Sequence, residues 1–267
     1  MGFSTLARGG YNPPHVKVYY LLDLGFIKRG LTAYELPYLG GHALAWAWAS
    51  WRLGRAGVPA WRYLLFPSYL IPAVSNGAHL FAWLTFGRPA GFVLYGGLFG
   101  ALAASALAWW LLYRPWLSAA RWFDDVMASL LMVMGMLRVG CHLAGCCHGT
   151  PAPPGWPSVT YASELMDTTP YPEFRDIPLH PAVLYEAAGM ALLLVAAALL
   201  RRRLRPGEQG WLLLSGYAAV RFLLEFIRAD PRGGTVLGLY PSQVISLAVL
   251  AVAALAAWPV RRPESAP

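Results

Sequence analysis

Apolar runs long enough to cross a bilayer recur along the chain, separated by short polar or arginine-rich breaks. A hydrocarbon core of about 30 Å needs ~20 mostly apolar residues as helix. Seven stretches qualify to differing degrees: 34–53, 63–86, 90–113, 123–140, 181–200, 210–227 and 237–258. The third, fifth and seventh are the strongest. The second carries Pro67, Pro72, Ser75, Asn76 and His79, which a membrane helix tolerates when they face the bundle interior. The pattern predicts an all-α fold, a polytopic membrane protein of about seven transmembrane helices.

No repeat of fixed period and no second soluble domain is visible. Residues 1–267 are therefore expected to form a single membrane domain with an N-terminal arm at 1–33. The arm shows no cleavable signal pattern, so the mature chain is expected to start near Met1. Residues 149–179 form the one long connection. They carry seven prolines together with Glu164, Asp167, Glu173, Arg175 and Asp176, and read as a small extracytoplasmic cap.

Composition narrows the class. Hydrophobic residues make up 57% of the chain and charged residues 13%, against roughly 25% charged in soluble domains. That balance excludes a soluble enzyme, a disordered chain and a disulfide-rich secreted domain. The net charge of +8 does not indicate nucleic acid, because the arginines punctuate apolar runs instead of clustering on a wet face.

Those arginines instead set the expected orientation. Arg52, Arg55, Arg62, Arg114, Arg121, Arg201, Arg202, Arg203, Arg205, Arg261 and Arg262 fall on one side of the seven spans. The dense group 201–205 marks that side as cytoplasmic. The C-terminus is then cytoplasmic and the N-terminus outside. Arg138 and Arg221 lie within or at the edge of spans, where orientation does not account for them.

Charge inside a bilayer costs about 2.5–3.5 kcal/mol on insertion scales, so such residues point to function. Arg221, Glu225 and Arg228 stand at i, i+4 and i+7, one helical face, with Arg221 and Glu225 spaced to pair. Two cations against one anion suit a phosphate; a structural ion pair with Arg228 snorkelling outward is the alternative. Glu186 has no cationic neighbour at i±4, so its partner is expected on another helix. It could act as a general base or simply hydrogen-bond between helices. Gly96 and Gly100 have GxxxG spacing after Tyr95, suited to close helix packing or to the approach of a lipid headgroup.

Cys141, His142, Cys146, Cys147 and His148 offer metal-type ligands within eight residues. Their spacing matches no common zinc pattern, and adjacent cysteines would rarely share one ion. Packing residues beside a membrane site are the expectation, with a reactive thiol or a metal as alternatives; no metal and no cofactor are expected.

Together YGGLFG (95–100), the segment from Arg138 to Gly149, HPAVLYE (180–186), YAAVRFLLEFIRAD (217–230) and PSQVISL (241–247) resemble the prolipoprotein diacylglyceryl transferases. The resemblance runs from about residue 34 to 258. It implies a multi-pass enzyme of the bacterial inner membrane that moves a diacylglyceryl group from phosphatidylglycerol to the lipobox cysteine of a prolipoprotein, without a cofactor. It further implies a substrate cavity open to the outer leaflet under the cap. Arg138, Arg221 and Glu225 match the family's functional residues, and Gly149 its closing glycine. His148, Tyr95 and Glu186 become the candidates for the base. Gly96, Gly97, Gly149, His180, Tyr185 and Arg228 are expected along the substrate. The chain departs from the family pattern at Tyr95 (usually His), Cys141 (usually Asn) and Cys146 (usually Glu). These departures leave room for a related transferase with another lipid donor or acceptor. A non-catalytic lipid-binding or metal/redox membrane protein is the further alternative.

Overall fold

The computed structural model describes residues 34–86, 94–161, 172–229, 235 and 237–257. The N-terminal arm, the first residues of the third predicted stretch and the middle of the cap, including Glu164 and Asp167, lie outside the described residues. Helices stand at all seven predicted stretches. They are α1 (Glu35–Arg55), the short α2 (Ala60–Leu64), α3 (Phe66–Phe86), α4 (Leu94–Ala108), α5 (Ala119–Leu143), α6 (Ala182–Leu200), α7 (Glu208–Leu224) and α8 (Pro241–Ala257). A π-helical turn, Trp109–Tyr113, extends α4. Among the described residues there is no strand, only isolated bridges such as Gly149 with Arg228.

Among the described residues, four helical segments are long and apolar enough to cross a membrane: Leu94–Tyr113, Ala119–Leu143, Ala182–Leu200 and Glu208–Ile227. The chain is thus a multi-pass membrane protein. The apolar α8 is shorter, at 17 residues. Helices α1 and α3 each reach 21 residues but are not among these four.

Helix α5 is the axis of the bundle, packed against α1, α6 and α7, while α3 pairs with α4 and α7 with α8. Its 25 residues rise about 37 Å. The Ser118 hydroxyl caps its start, accepting from the Arg121 backbone N–H at 3.3 Å. Its other end closes with two backbone bonds, Gly145 N–H to the His142 carbonyl at 3.2 Å and Cys146 N–H to the Cys141 carbonyl at 3.1 Å. That pairing is a Schellman cap, with Gly145 in the left-handed conformation at φ 63°.

Helices α3 and α4 meet backbone to backbone. A Cβ on Gly96 would lie 2.6 Å from the Gly77 carbonyl oxygen, and one on Gly100 2.8 Å from the Gly77 Cα. Close packing therefore accounts for the GxxxG spacing. The seam also corrects the expectation for the second span: Val74, Gly77 and Ala78 take the inner face, so Pro72, Asn76 and His79 are exposed on the opposite one.

At the end where α5 and α7 begin, arginines lie beside acids and indoles. Arg52 Nε is 2.7 Å from an Asp125 carboxylate oxygen. Asp124 accepts the N–H groups of Gly207 at 2.8 Å and Gly210 at 2.6 Å, closing the N-terminus of α7. Arg55 lies over Trp51 at 5.0 Å, Arg62 over Trp116 at 4.4 Å and Arg114 over Trp110 at 5.5 Å.

Candidate functional site

The opposite end of the bundle gathers the intramembrane charges. Three chain segments converge there: the end of α5, the start of α6 and the end of α7. Backbone hydrogen bonds pin them together. Gly149 N–H donates to the His180 carbonyl at 3.0 Å, Thr150 N–H to Ile227 at 2.8 Å and Ala229 N–H to His148 at 3.2 Å. Only glycine fits at 149. A Cβ there would lie 2.6 Å from both the Cβ and the carbonyl oxygen of His180, and 2.8 Å from the Ile227 oxygen.

Glu186 is the hub. It is fully buried, and its partners come from other elements, as its unpaired sequence position predicts. Arg138 Nε lies 2.8 Å from Oε2, and a second Arg138 nitrogen donates to Oε1 at 3.3 Å. Arg228 reaches Oε2 at 3.4 Å, and Arg221 Nε stands 4.0 Å from Oε1. The Tyr217 hydroxyl adds a hydrogen bond to Oε1 at 3.4 Å. Arg221 in turn pairs with Glu225 at 2.8 Å across one helical turn. Three guanidiniums thus face two carboxylates, all with side chains almost wholly removed from solvent. Such a cluster carries one net positive charge and is complementary to an anion.

Arg228 joins by a different route from the helical one its spacing implies. Helix α7 ends at Leu224, a 3₁₀ turn covers Glu225–Ile227, and Arg228 is extended at φ −86°, ψ 145°. The bridge between Gly149 and Arg228 holds it over Glu186.

The remaining predicted residues divide by location. Tyr95 is buried against Tyr217, ring centroids 5.7 Å apart. Its hydroxyl lies 2.6 Å from Ser246 Oγ, which spends its own hydrogen on the Ser242 carbonyl, so Tyr95 donates. His148 is fully buried, with Nδ1 3.1 Å from the Gly149 carbonyl and its ring against Phe174. His180 packs edge-on to Trp156 at 5.7 Å. Tyr185 turns to the cap and donates to the Pro157 carbonyl at 3.3 Å. Gly96 sits in the α3–α4 seam. Gly97 lines a small apolar hollow together with Val74, Leu94, Leu98, Leu130 and Leu137. Tyr217 and Ser246 are participants that the sequence reading does not single out. Tyr217 carries the signal, standing one turn before Arg221 on the face that holds Glu225.

The cysteines also converge. The sulfurs of Cys141, Cys146 and Cys147 all lie within 4.8 Å of one another. The Schellman cap folds Cys146 back over Cys141, and Cys147 takes the left-handed conformation at φ 58°. The neighbouring Cys141 and Cys146 sulfurs hold the pKa of the Cys147 thiol well below its ordinary value, while Cys141 and Cys147 push that of Cys146 up. His142 is turned away: its Nδ1 lies 3.1 Å from the Tyr161 hydroxyl. Burial pushes that hydroxyl's pKa up and keeps it protonated.

Comparison with known proteins identifies the family. The family model described as prolipoprotein diacylglyceryl transferase matches residues 22–259. The phosphatidylglycerol–prolipoprotein diacylglyceryl transferase of Clostridium tetani is 32% identical over 160 residues, 59% of this chain and 59% of that protein. Its namesake in Dehalococcoides mccartyi is 29% identical over 217 residues, covering 78% of this chain and 80% of the relative. That of Methylocella silvestris is 28% identical over 91% of this chain and 97% of its own length.

Proposed function

The chain belongs to the prolipoprotein diacylglyceryl transferase family, and we infer that it moves a diacylglyceryl group from phosphatidylglycerol to the lipobox cysteine of a prolipoprotein. The observation that carries this reading is the buried cluster of three arginines and two carboxylates, one positive charge in excess, at the converging ends of α5, α6 and α7.

The acceptor sulfur attacks the glyceryl carbon bonded to the phosphate oxygen. A C–S bond forms, the C–O bond breaks, and glycerol phosphate leaves with the electron pair. The departing phosphate gains charge, which Arg138 and Arg221 stabilise in a water-poor setting. Glu225 orients Arg221 across one turn. Glu186, gripped by Arg138 and Arg228, positions both guanidiniums.

The thiol must lose its proton. His148 is the base in this reading: with Nδ1–H donated to the Gly149 carbonyl, Nε2 is left as the ring's basic nitrogen. Tyr95, committed to Ser246, contributes shape and a hydrogen bond. No metal or organic cofactor enters these steps.

We place the chain in the bacterial inner membrane as a single domain of seven spans, with the C-terminus cytoplasmic and the cap outside. The arginine–tryptophan contacts at the start of α5 and α7 suit a cytoplasmic headgroup boundary. The test uses membranes containing the protein, phosphatidylglycerol labelled in its acyl chains, and a lipobox peptide. Label transferred to the peptide cysteine, and lost in Arg138→Ala or Arg221→Ala, is the expected result. Absence of transfer by folded protein would overturn it.

A further inference from the structure

We propose that Cys141, Cys146 and Cys147 form a three-sulfur site for a soft monovalent cation, copper(I), at the end of α5 beside the arginine cluster. The three sulfurs lie within 4.8 Å of one another, and none is in a disulfide. Metal–sulfur bonds of about 2.3 Å in a trigonal plane place sulfurs about 4 Å apart. Small side-chain rotations close the remaining gap.

Backbone geometry builds the arrangement. The Schellman cap returns Cys146 over Cys141, with its N–H on the Cys141 carbonyl at 3.1 Å. The left-handed backbone of Cys147, at φ 58°, is an uncommon conformation for a side-chain-bearing residue. It brings a third sulfur to the other two.

Donor chemistry selects the ion. Thiolates favour soft cations, copper(I) and zinc among them. Structural zinc takes four ligands as a rule. Among the described residues the metal-type donors grouped here are the three sulfurs alone. Neither His142 nor His148 joins that group. Three sulfurs satisfy trigonal copper(I). Three thiolates and one copper(I) carry two negative charges, and Arg138, 3.8 Å from the Cys141 sulfur, stands beside them. Cys141 is buried, while Cys146 and Cys147 are partly exposed, giving the ion a way in. Binding exchanges thiol protons for the cation and involves no change of oxidation state.

The experiment uses the full chain in detergent, reduced and kept free of oxygen. Copper(I) is presented as its bathocuproine disulfonate complex. Expected are one copper per chain drawn from the chelator, an ultraviolet thiolate-to-copper band, and protection of all three thiols from maleimide, counted by mass. Cys146→Ser and Cys147→Ser should each weaken uptake by about tenfold or more without altering the melting temperature. Failure of the unmodified protein to take copper from the chelator overturns the proposal, as does uptake unchanged in the double serine variant. Zinc displacing copper from the thiols overturns the choice of ion. None of these readouts depends on transferase activity.

Discussion

Arg138 grips Glu186 with two nitrogens at once, Nε 2.8 Å from one carboxylate oxygen and a terminal nitrogen 3.3 Å from the other. A planar guanidinium can do this and an ammonium cannot. Arg138→Lys is therefore expected to keep the charge and lose the grip, with transfer falling on the order of 10²-fold, as for a lost transition-state donor. Initial rates at saturating phosphatidylglycerol check this.

Removing the hub should cost stability as well. Glu186→Ala leaves three buried guanidiniums short of their common anion, and loss of one partner of a buried pair costs about 3–5 kcal/mol. The thermal midpoint in detergent is expected to drop sharply. Glu225→Ala, which removes the one-turn partner of Arg221, should lower it less.

Two of the three candidate bases, Tyr95 and His148, are separable by conservative change. Tyr95→Phe removes only the hydroxyl bonded to Ser246, a loss of about 1 kcal/mol in stability, with transfer close to that of the unchanged protein. His148→Phe keeps a ring against Phe174 but removes the nitrogen lone pair. Transfer should then fall by about 10²-fold or more. Single-turnover rates with labelled lipid distinguish the outcomes.

Gly149→Ala drives a methyl into His180 and the Ile227 carbonyl. Little folded protein should survive size-exclusion chromatography. Gly54→Ala, with nothing within 4 Å of the added carbon, should be neutral or slightly stabilising, as helix propensity favours alanine.

What the chain discloses before folding follows from the range of each interaction. Spans are legible because apolar length against bilayer thickness is a property of contiguous residues. The pairing of Arg221 with Glu225 is legible because one helical turn sets it. Glu186 shows only that a partner is needed; which arginines supply it depends on how α5, α6 and α7 meet. Arg228 is foreseen beside the site by helical spacing, yet it arrives through extended backbone and a bridge to Gly149. The outward face of α3 and the meeting of the three cysteines are hidden for related reasons. A glycine seam on another helix decides the first, and left-handed backbone at Gly145 and Cys147 decides the second.

The arginines are already engaged before any lipid arrives. Glu186 is a resident competitor: it occupies the forks that a headgroup phosphate would use. Under the proposed function, headgroup binding is then an exchange of anions, and its affinity measures how much better a phosphate satisfies the guanidiniums than the protein's own carboxylate does. A monoanionic carboxylate ligand would gain little from such a swap, whereas a phosphate would bring more oxygens to share among three forks. The cluster would thus discriminate among anions through an occupant built into the chain.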